Sequence, residues 1–225
     1  MNTSIPTLAK WIDQTLLKPE ATTADILNLC EQAKVHSFFG VCVNSSYIKL
    51  VVESLAGSSS TPVSVVGFPL GAMSTISKAF ETEQCVRDGA KEIDMVIAIG
   101  ALKEKRFDFV KNDVRAVVQA AGPALVKVII ETALLTDEEK KIACSLSVEA
   151  GAGFVKTCTG FSGGAASVAD IELMRAVVGP QIGVKASGGV KTAELAWALI
   201  KAGATRIGTS SGVELAQNKT IVGGY

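Results

Sequence analysis

The stretch Ala150-Gly151-Ala152-Gly153-Phe154-Val155-Lys156-Thr157-Cys158-Thr159-Gly160, residues 150–160, contains a helix end, a strand and a polar turn in succession. Gly151 stands where a helix would end, because glycine adopts the left-handed cap conformation at little cost. Two apolar residues then predict a short buried strand that ends at Lys156. The same joint of a glycine and an alanine recurs at Gly89 and Gly203. Helix, glycine cap and strand in this order are typical of parallel βαβ structure.

Eight apolar runs, each followed by a helical stretch, extend this pattern along the chain. The predicted strands cover residues 11–17, 39–43, 63–68, 92–97, 125–130 and 206–209, with the sixth and seventh strands around Lys156 and Lys185. Thr136 and Glu139 predict a capping box at the start of one helix. Eight units in 225 residues predict an α/β fold, a (β/α)8 TIM barrel, as a single domain spanning 1–225 with a short N-terminal helical segment. A doubly wound open sheet is the alternative, although it usually has fewer strands at this length.

Composition and charge exclude several classes of protein. Hydrophobic residues make up 48% of the chain and charged residues 20%, so disorder is not expected. Lys and Arg number 22, as do Asp and Glu, and this balance argues against a nucleic-acid or anionic-membrane surface. The first residues lack a signal-peptide pattern because Lys10 and Asp13 interrupt the apolar run. We therefore expect a soluble cytoplasmic protein.

Histidine and cysteine chemistry is restricted as well. The single histidine, His36, precedes the second strand, and barrel chemistry lies at strand exits, so a structural role is favoured. The five cysteines are scattered without a C-x-x-C pair or the spacing of a metal site, which fits a reducing compartment. We expect neither a metal nor a cofactor.

Charged residues within apolar strands are the strongest sign of a catalytic site. Lys156 and Lys185 end neighbouring strands, and Asp94 lies in the fourth strand between apolar residues. Two ammonium groups ~5 Å apart repel by roughly 3 kcal/mol at an effective dielectric of ~20, and desolvation also lowers a lysine pKa. A lysine of this kind becomes a neutral amine that can attack a carbonyl. The alternative is that both lysines are structural and form salt bridges with Asp94 and Glu131.

Two glycine- and serine-rich turns predict a phosphate site. Ser187-Gly188-Gly189 follows the seventh strand and Gly208-Thr209-Ser210-Ser211-Gly212 follows the eighth. Barrels commonly bind phosphate with these two loops, where glycines allow backbone N–H groups to approach the anion.

Taken together, these motifs resemble the deoxyribose-phosphate aldolase family of class I aldolases over essentially the whole chain. The motifs that carry the resemblance are Asp13-Gln14-Thr15-Leu16-Leu17, Glu92-Ile93-Asp94-Met95-Val96, Lys127-Val128-Ile129-Ile130-Glu131-Thr132, Phe154-Val155-Lys156-Thr157-Cys158-Thr159-Gly160, Val184-Lys185-Ala186-Ser187-Gly188-Gly189 and Gly208-Thr209-Ser210-Ser211. The resemblance implies a metal-free, reversible aldol cleavage of 2-deoxy-D-ribose 5-phosphate to D-glyceraldehyde 3-phosphate and acetaldehyde, in deoxyribonucleoside catabolism. It also implies a small sugar phosphate as the ligand and a homodimer or homotetramer.

The resemblance assigns roles to residues of this chain. Lys156 would form the Schiff base, Lys185 would perturb it, and Asp94 would transfer protons with support from Asp13. The chain ends in Tyr225, whose hydroxyl would protonate the enamine carbon if the tail folds over the barrel, and a frayed tail is the alternative. The residues expected to contact the substrate or its phosphate are Thr15, Cys42, Lys127, Thr159, Gly160, Gly188, Gly189, Gly208, Ser210 and Ser211.

Two other functions remain open at this stage. A different lysine-dependent aldolase or transaldolase could use the same barrel and would be separated by substrate screening. A non-catalytic barrel that binds sugar phosphates would need only the loops after the seventh and eighth strands, and would leave the buried Lys156 unexplained.

Overall fold

A computed structural model of the protein describes residues 8–217. Its sheet is a closed barrel in which each strand pairs in parallel with its neighbours in sequence, and the last strand pairs with the first. The strands are β1 (Ile12–Leu16), β2 (Gly40–Val43), β3 (Thr61–Val66), β4 (Glu92–Val96), β5 (Leu125–Ile129), β6 (Phe154–Lys156), β7 (Gly183–Ser187) and β8 (Arg206–Thr209). The prediction of a (β/α)8 barrel is confirmed.

Helices follow the strands around the outside of the barrel. They are α1 (Thr23–His36), α2 (Ile48–Ser54), α3 (Thr75–Arg87), α4 (Ile99–Lys103), α5 (Phe107–Ala121), α6 (Asp137–Glu149), α7 (Val168–Val178), α8 (Ala193–Lys201) and α9 (Gly212–Ala216). Short 3₁₀ helices cover Leu8–Trp11, Ser45–Tyr47 and Thr132–Leu134. Among residues 8–217, none of the helices combines the length and apolar character that a bilayer-spanning segment needs.

The helix ends follow the local sequence signals. Thr136 accepts from the backbone N–H of Glu139, whose carboxylate accepts from Thr136 in return, so the predicted capping box is present. Gly89, Gly151 and Gly203 all have positive φ angles, as their position after a helix predicts. The first strand is shorter than predicted because its first residue belongs to the 3₁₀ helix Leu8–Trp11. The short α4 was not predicted, since five residues are too few to establish a helical period.

The apolar core lies mainly between the barrel and its helices. Successive residues of a strand face opposite sides of the sheet, so Ile93 and Met95 pack outward in this core while Asp94 faces into the barrel. A much smaller apolar cluster of Leu17, Cys42, Val63 and Val65 packs on the inner side of β2 and β3. The rest of the barrel interior is therefore available to polar side chains.

Two glycines make room for those side chains. A Cβ on Gly208 would lie 2.9 Å from Cε of Lys185, and a Cβ on Gly40 would lie 2.8 Å from Oδ1 of Asp13. Both glycines face into the barrel beside a charged residue of a neighbouring strand. The sequence thus leaves space inside the barrel for ionised groups.

Candidate active site

Seven ionisable side chains form one connected network of ion pairs inside the barrel. The register aligns Asp94 of β4 with Lys127 of β5, and Lys156 of β6 with Lys185 of β7. The members are Asp13, Glu92, Asp94, Lys127, Lys156, Lys185 and Arg206. Four cations face three carboxylates, so the network carries one excess positive charge when every member is ionised.

Asp94 lies at the centre of this network. Its Oδ1 accepts from Nζ of Lys127 at 2.7 Å, and its Oδ2 accepts from Nζ of both Lys156 and Lys185 at 2.8 Å. Burial alone would raise the pKa of this carboxyl, but the three ammonium groups outweigh burial and hold its pKa well below the usual range. In the resting network Asp94 is therefore an ionised acceptor shared by both predicted catalytic lysines.

Asp13 connects β1 to the strands on its other side. Its Oδ2 accepts from Nζ of Lys185 at 2.5 Å and its Oδ1 from the Arg206 guanidinium at 2.8 Å. Burial raises the pKa of Asp13, but Lys185, Arg206 and Lys127 outweigh it and lower the pKa to about 2. For Lys185 burial favours the neutral amine, yet Asp13 and Asp94 raise its pKa above the usual value. These two carboxylates thus favour the cationic form of Lys185.

A cavity of about 550 Å³ opens where the strands end. Lys156 is 3% exposed and lines this cavity, whereas Asp13, Asp94 and Lys185 are fully buried beneath it. The predicted site residues that line the cavity are Thr15, Lys156, Thr159, Gly160, Gly188, Gly189, Gly208, Ser210 and Ser211. The structure thus brings together residues from β1, β6, β7 and β8 and from the loops that follow them.

Two predicted substrate contacts are placed elsewhere. Cys42 and Lys127 are fully buried and contribute nothing to the cavity wall. Nζ of Lys127 is occupied by Glu92 at 2.6 Å and Asp94 at 2.7 Å, which holds it inside the network. Burial, together with nearby Asp94, raises the pKa of the Cys42 thiol to about 11, so it is un-ionised. Both side chains thus lie behind the cavity wall, and their contact with substrate stays a prediction.

The predicted phosphate loops lie on one side of the cavity. Gly188 and Gly189 have φ angles of 93° and 68°, and their N–H groups make no hydrogen bond within the described residues. In the loop after β8, the N–H of Ser211 already donates to Thr209 Oγ1 at 3.0 Å, and that of Gly212 donates to Gln14 Oε1 at 2.9 Å. The groups available to an anion are therefore the N–H groups of Gly188 and Gly189 and the hydroxyls of Ser210 and Ser211, whereas the hydroxyl of Ser187 donates to the carbonyl of Cys158 at 2.6 Å.

Sequence reasoning missed several members of the site. Arg206 and Glu92 belong to the buried network, and the guanidinium of Arg206 also stacks 3.4 Å from the centre of the Phe39 ring. Lys18 and Lys191 line the cavity near its rim. The sequence did contain a sign of Glu92 and Arg206, since each is a charged residue at the first position of a predicted apolar strand.

One predicted catalytic residue cannot be placed. Tyr225, expected to assist proton transfer to the enamine carbon, lies outside the described residues and stays a prediction. His36 ends α1 and stacks on Phe38, with 5.4 Å between ring centres, away from the cavity.

Comparison with known proteins places this geometry in a family. A model of the DeoC/LacD family of aldolases matches residues 7–218. A protein of Bdellovibrio bacteriovorus named deoxyribose-phosphate aldolase is 59% identical over 218 residues, which cover 97% of this chain and 99% of the relative. A Bacillus licheniformis protein named deoxyribose-phosphate aldolase 1 is 58% identical over 214 residues, covering 95% and 96%.

A solved structure agrees with the fold as well as the sequence. The tetrameric deoxyribose phosphate aldolase of Aeropyrum pernix superposes with a TM-score of 0.86 at 34% identity, covering 93% of this chain and 89% of that one. The family model, the two close relatives and the shared barrel agree over nearly the full length. The chain therefore belongs to the DeoC/LacD family of aldolases.

Proposed function

We propose that the chain catalyses the reversible aldol cleavage of 2-deoxy-D-ribose 5-phosphate to D-glyceraldehyde 3-phosphate and acetaldehyde, through a Schiff base on Lys156. Relatives that carry the name of this activity at 59% and 58% identity support the reaction. One observation carries the choice of nucleophile: of the four cations in the buried network, Lys156 alone lines the cavity.

The charge balance of the network supports this choice. A Schiff base forms only from a lysine amine that has lost its proton. Loss of one proton from Lys156 would leave Lys127, Lys185 and Arg206 against the three carboxylates of the network. The neutral amine would then stand beside a charge-balanced set of ion pairs, and Asp94 Oδ2 would keep Lys185 as a donor.

The reaction follows from these positions. Lys156 Nζ attacks the aldehyde carbon C1 of the open-chain sugar, and loss of water from the carbinolamine gives an iminium ion. A base removes the proton of the C3 hydroxyl, the C2–C3 bond breaks, and its electron pair flows into the iminium to give an enamine. Glyceraldehyde 3-phosphate leaves, C2 of the enamine takes up a proton, and hydrolysis releases acetaldehyde and the free lysine.

The neighbouring groups supply proton transfer, charge and contacts to the substrate. We propose Asp94 as the proton-transfer group, because its Oδ2 already accepts a hydrogen bond from Nζ of Lys156 at 2.8 Å. Lys185 and Asp13 keep Asp94 and the network charge in place. Thr15, Thr159 and Gly160 line the cavity around the sugar, and Gly188, Gly189, Gly208, Ser210 and Ser211 are the proposed surroundings of the 5-phosphate. We propose that Lys127 holds Asp94 in position through its hydrogen bond at 2.7 Å.

Borohydride trapping tests the nucleophile. Reduction in the presence of acetaldehyde should leave a two-carbon adduct on Lys156, located by peptide mass mapping, because hydride converts the iminium into a stable secondary amine. Lys156→Met should abolish both the adduct and sugar-phosphate cleavage. Lys18→Met removes another amine that lines the cavity and should leave the adduct in place. An active enzyme whose Lys156 peptide stays unmodified would contradict the proposal.

A substrate panel separates the proposed reaction from its rivals. The enzyme should cleave 2-deoxyribose 5-phosphate faster than fructose phosphates or transaldolase donor sugars, each assayed by release of its aldehyde product. A barrel that binds sugar phosphates without cleavage would give no adduct and no product. The sugar that is cleaved fastest would thus separate the proposed reaction from that of another aldolase or a transaldolase. The absence of both adduct and product would indicate a barrel that only binds sugar phosphates.

Two further proposals concern the cellular setting and the assembly of the protein. We propose that the whole chain, 1–225, acts as one domain in the cytoplasm, in deoxyribonucleoside catabolism. All five cysteines are free and buried, which fits a reducing compartment. We also propose a homodimer or homotetramer, supported by the tetrameric Aeropyrum pernix relative.

A further inference from the structure

Glu131 is a buried carboxylate that lies outside the ion-pair network. It follows β5 directly and is fully buried, yet within residues 8–217 no lysine, arginine or histidine forms an ion pair with it. A buried charge without a counter-ion is unfavourable unless hydrogen-bond donors surround it. The proposed reaction gives this carboxylate no role.

The donors that surround Glu131 all come from the loop after β6. Oε2 of Glu131 accepts from the backbone N–H of Thr159 at 3.2 Å, from Thr159 Oγ1 at 2.5 Å and from Ser162 Oγ at 3.3 Å. Thr159 lies three residues beyond Lys156 and lines the same cavity. One carboxylate oxygen thus holds the segment that leads away from the proposed nucleophile.

The backbone of Glu131 is shaped to make these contacts. Its φ angle of 58° and ψ angle of 67° lie in the left-handed region, which is unfavourable for a residue that carries a Cβ. The flanking N–H groups of Ile130 and Thr132 donate to the carbonyls of Lys156 and Thr157 at 3.0 and 3.1 Å. The ends of β5 and β6 are therefore joined on both sides of the strained residue, which directs its side chain to Thr159.

The hydrogen-bond capacity of the Thr159 hydroxyl shows what this arrangement achieves. A threonine hydroxyl has one proton to donate and two lone pairs that can accept. Its proton is given to Glu131, and one lone pair receives the N–H of Phe161 at 3.0 Å. What remains is a single lone pair, so toward the cavity Thr159 can only accept.

We infer that Glu131 is a positioning residue that fixes the Thr159 hydroxyl as a hydrogen-bond acceptor for a hydroxyl group of the sugar-phosphate substrate. The inference rests on the proposed function. It gives the buried carboxylate a role in recognising the hydroxylated half of the substrate, which becomes the phosphorylated aldehyde. Acetaldehyde has no hydroxyl and would not use this acceptor.

Glu131→Gln tests the inference, because it keeps the shape of the side chain but removes its charge and one acceptor. The variant should lose about tenfold or more in kcat/KM for cleavage of 2-deoxyribose 5-phosphate, since a hydrogen bond to a charged group is disrupted. Exchange of the acetaldehyde methyl protons with deuterated water, which needs only the Schiff base and enamine at Lys156, should stay within about twofold of wild type. Glu138→Gln, the same change at an exposed site on α6, should alter neither reaction.

A double-variant comparison separates positioning from general support of the fold. Thr159→Val should reproduce the selective loss of cleavage, and Thr159→Ser, which keeps the hydroxyl, should restore most of it. Adding Glu131→Gln to Thr159→Val should cost little more, because without the Thr159 hydroxyl Glu131 has no acceptor left to position. If Glu131→Gln does not fold, Glu131→Asp retains the charge but withdraws it by one methylene and should give the same selective loss.

Three results would overturn the inference. Unchanged cleavage by Glu131→Gln, equal losses of cleavage and exchange, or fully additive losses in the double variant would each do so. Equal losses would mean that Glu131 only supports the structure around Lys156. Wild-type protein that neither cleaves the sugar phosphate nor forms the borohydride adduct would instead refute the proposed function, and the inference with it.

Discussion

Lys185 is the side chain that we propose sets the charge of the site without touching substrate. Its Nζ donates to Asp13 and Asp94, and it is fully buried below the cavity. Because its pKa is raised by these two carboxylates against the effect of burial, it supplies a constant positive charge next to Lys156.

Removing that charge should suppress the reaction near neutral pH. Lys185→Leu changes four cations against three carboxylates into three against three, so the proton on Lys156 is no longer in excess. We expect kcat/KM at pH 7 to fall by roughly tenfold or more, and the acid limb of the pH–rate profile to move to higher pH. Lys201→Leu, on the exposed end of α8, is the matched control. A lower rate with an unchanged pH profile would show that Lys185 acts only through packing.

For single residues, sequence patterns predicted positions better than the pairing of charged groups. The placement of Lys156 at a strand exit in an apolar strand predicted its position in the cavity. The same patterns suggested two facing ammonium groups and, as an alternative, salt bridges with Asp94 and Glu131. In the structure Asp94 accepts hydrogen bonds from both lysines, whereas Glu131 accepts one from the hydroxyl of Thr159. Which carboxylate serves which cation depends on strand register across the closed barrel, and no local pattern encodes that.

Among the elements, β1 is where the barrel closes, and Asp13 links it to two other strands. Its carboxylate receives Lys185 of β7 and Arg206 of β8. A drop in pKa from 3.8 to about 2 corresponds to roughly 2 kcal/mol of folding free energy. Because the folded pKa is the lower one, this stabilisation is present above pH 4 and is lost as pH falls toward 2.

Asp13→Asn should therefore destabilise the barrel in a pH-dependent way. We expect the free energy of unfolding, from urea titrations, to fall by about 2 kcal/mol or more at pH 7, since two buried cations also lose a partner. The difference from wild type should shrink as the pH falls from about 4 to about 2, because the Asp13 carboxyl of the unfolded wild-type chain takes up a proton before that of the folded protein does. Asp108→Asn, whose side chain is 96% exposed, should have little effect. A difference that stays constant down to pH 3 would contradict the role of the Asp13 charge.

The loop after β7 should determine the preference for a phosphorylated substrate. A Cβ on Gly189 would lie 2.9 Å from Cβ of Ala165, and the φ of 68° is itself unfavourable for alanine. Gly189→Ala should raise KM for 2-deoxyribose 5-phosphate by about tenfold or more while changing the already slow cleavage of unphosphorylated deoxyribose much less. Gly163→Ala is a matched control, because its φ is 72° and no atom lies within 4 Å of the added Cβ. Equal kcat/KM for the two sugars in wild type would show that this loop does not bind the phosphate.

Elements were predictable where the signal was local. The capping box at Thr136 and the glycines after α3, α6 and α8 act within a few residues, and these boundaries were confirmed. The β6 strand has only three residues, Phe154–Lys156, because the chain then turns to direct Thr159 toward Glu131. That turn depends on a buried carboxylate 28 residues away in sequence, so a pattern within the strand could not reveal it.

At the scale of the whole molecule, one part of the outer surface is unusually apolar. Ile76 is 82% exposed and Phe80 is 69% exposed, one helical turn apart on α3, and Leu70 in the preceding loop is 72% exposed. The only charged residue between positions 70 and 80 is Lys78, which is fully buried against Asp113 at 2.6 Å. This uncharged surface, formed by Leu70, Met73, Ile76 and Phe80, suits contact with a second copy of the chain.

The homo-oligomer proposed above should depend on that surface. Ile76→Ser combined with Phe80→Ser should lower the molecular mass measured by light scattering or sedimentation, because both changes remove exposed apolar area while leaving α3 and the buried Lys78 in place. Val35→Ser combined with Leu27→Ser makes similar changes on α1, where these side chains are 68% and 45% exposed, and should leave the assembly unchanged. Cleavage activity per subunit should persist in the smaller species, since neither α3 residue lines the cavity. A wild-type protein that is already monomeric at micromolar concentration, or an α3 variant with unchanged mass, would show that α3 is not the contact.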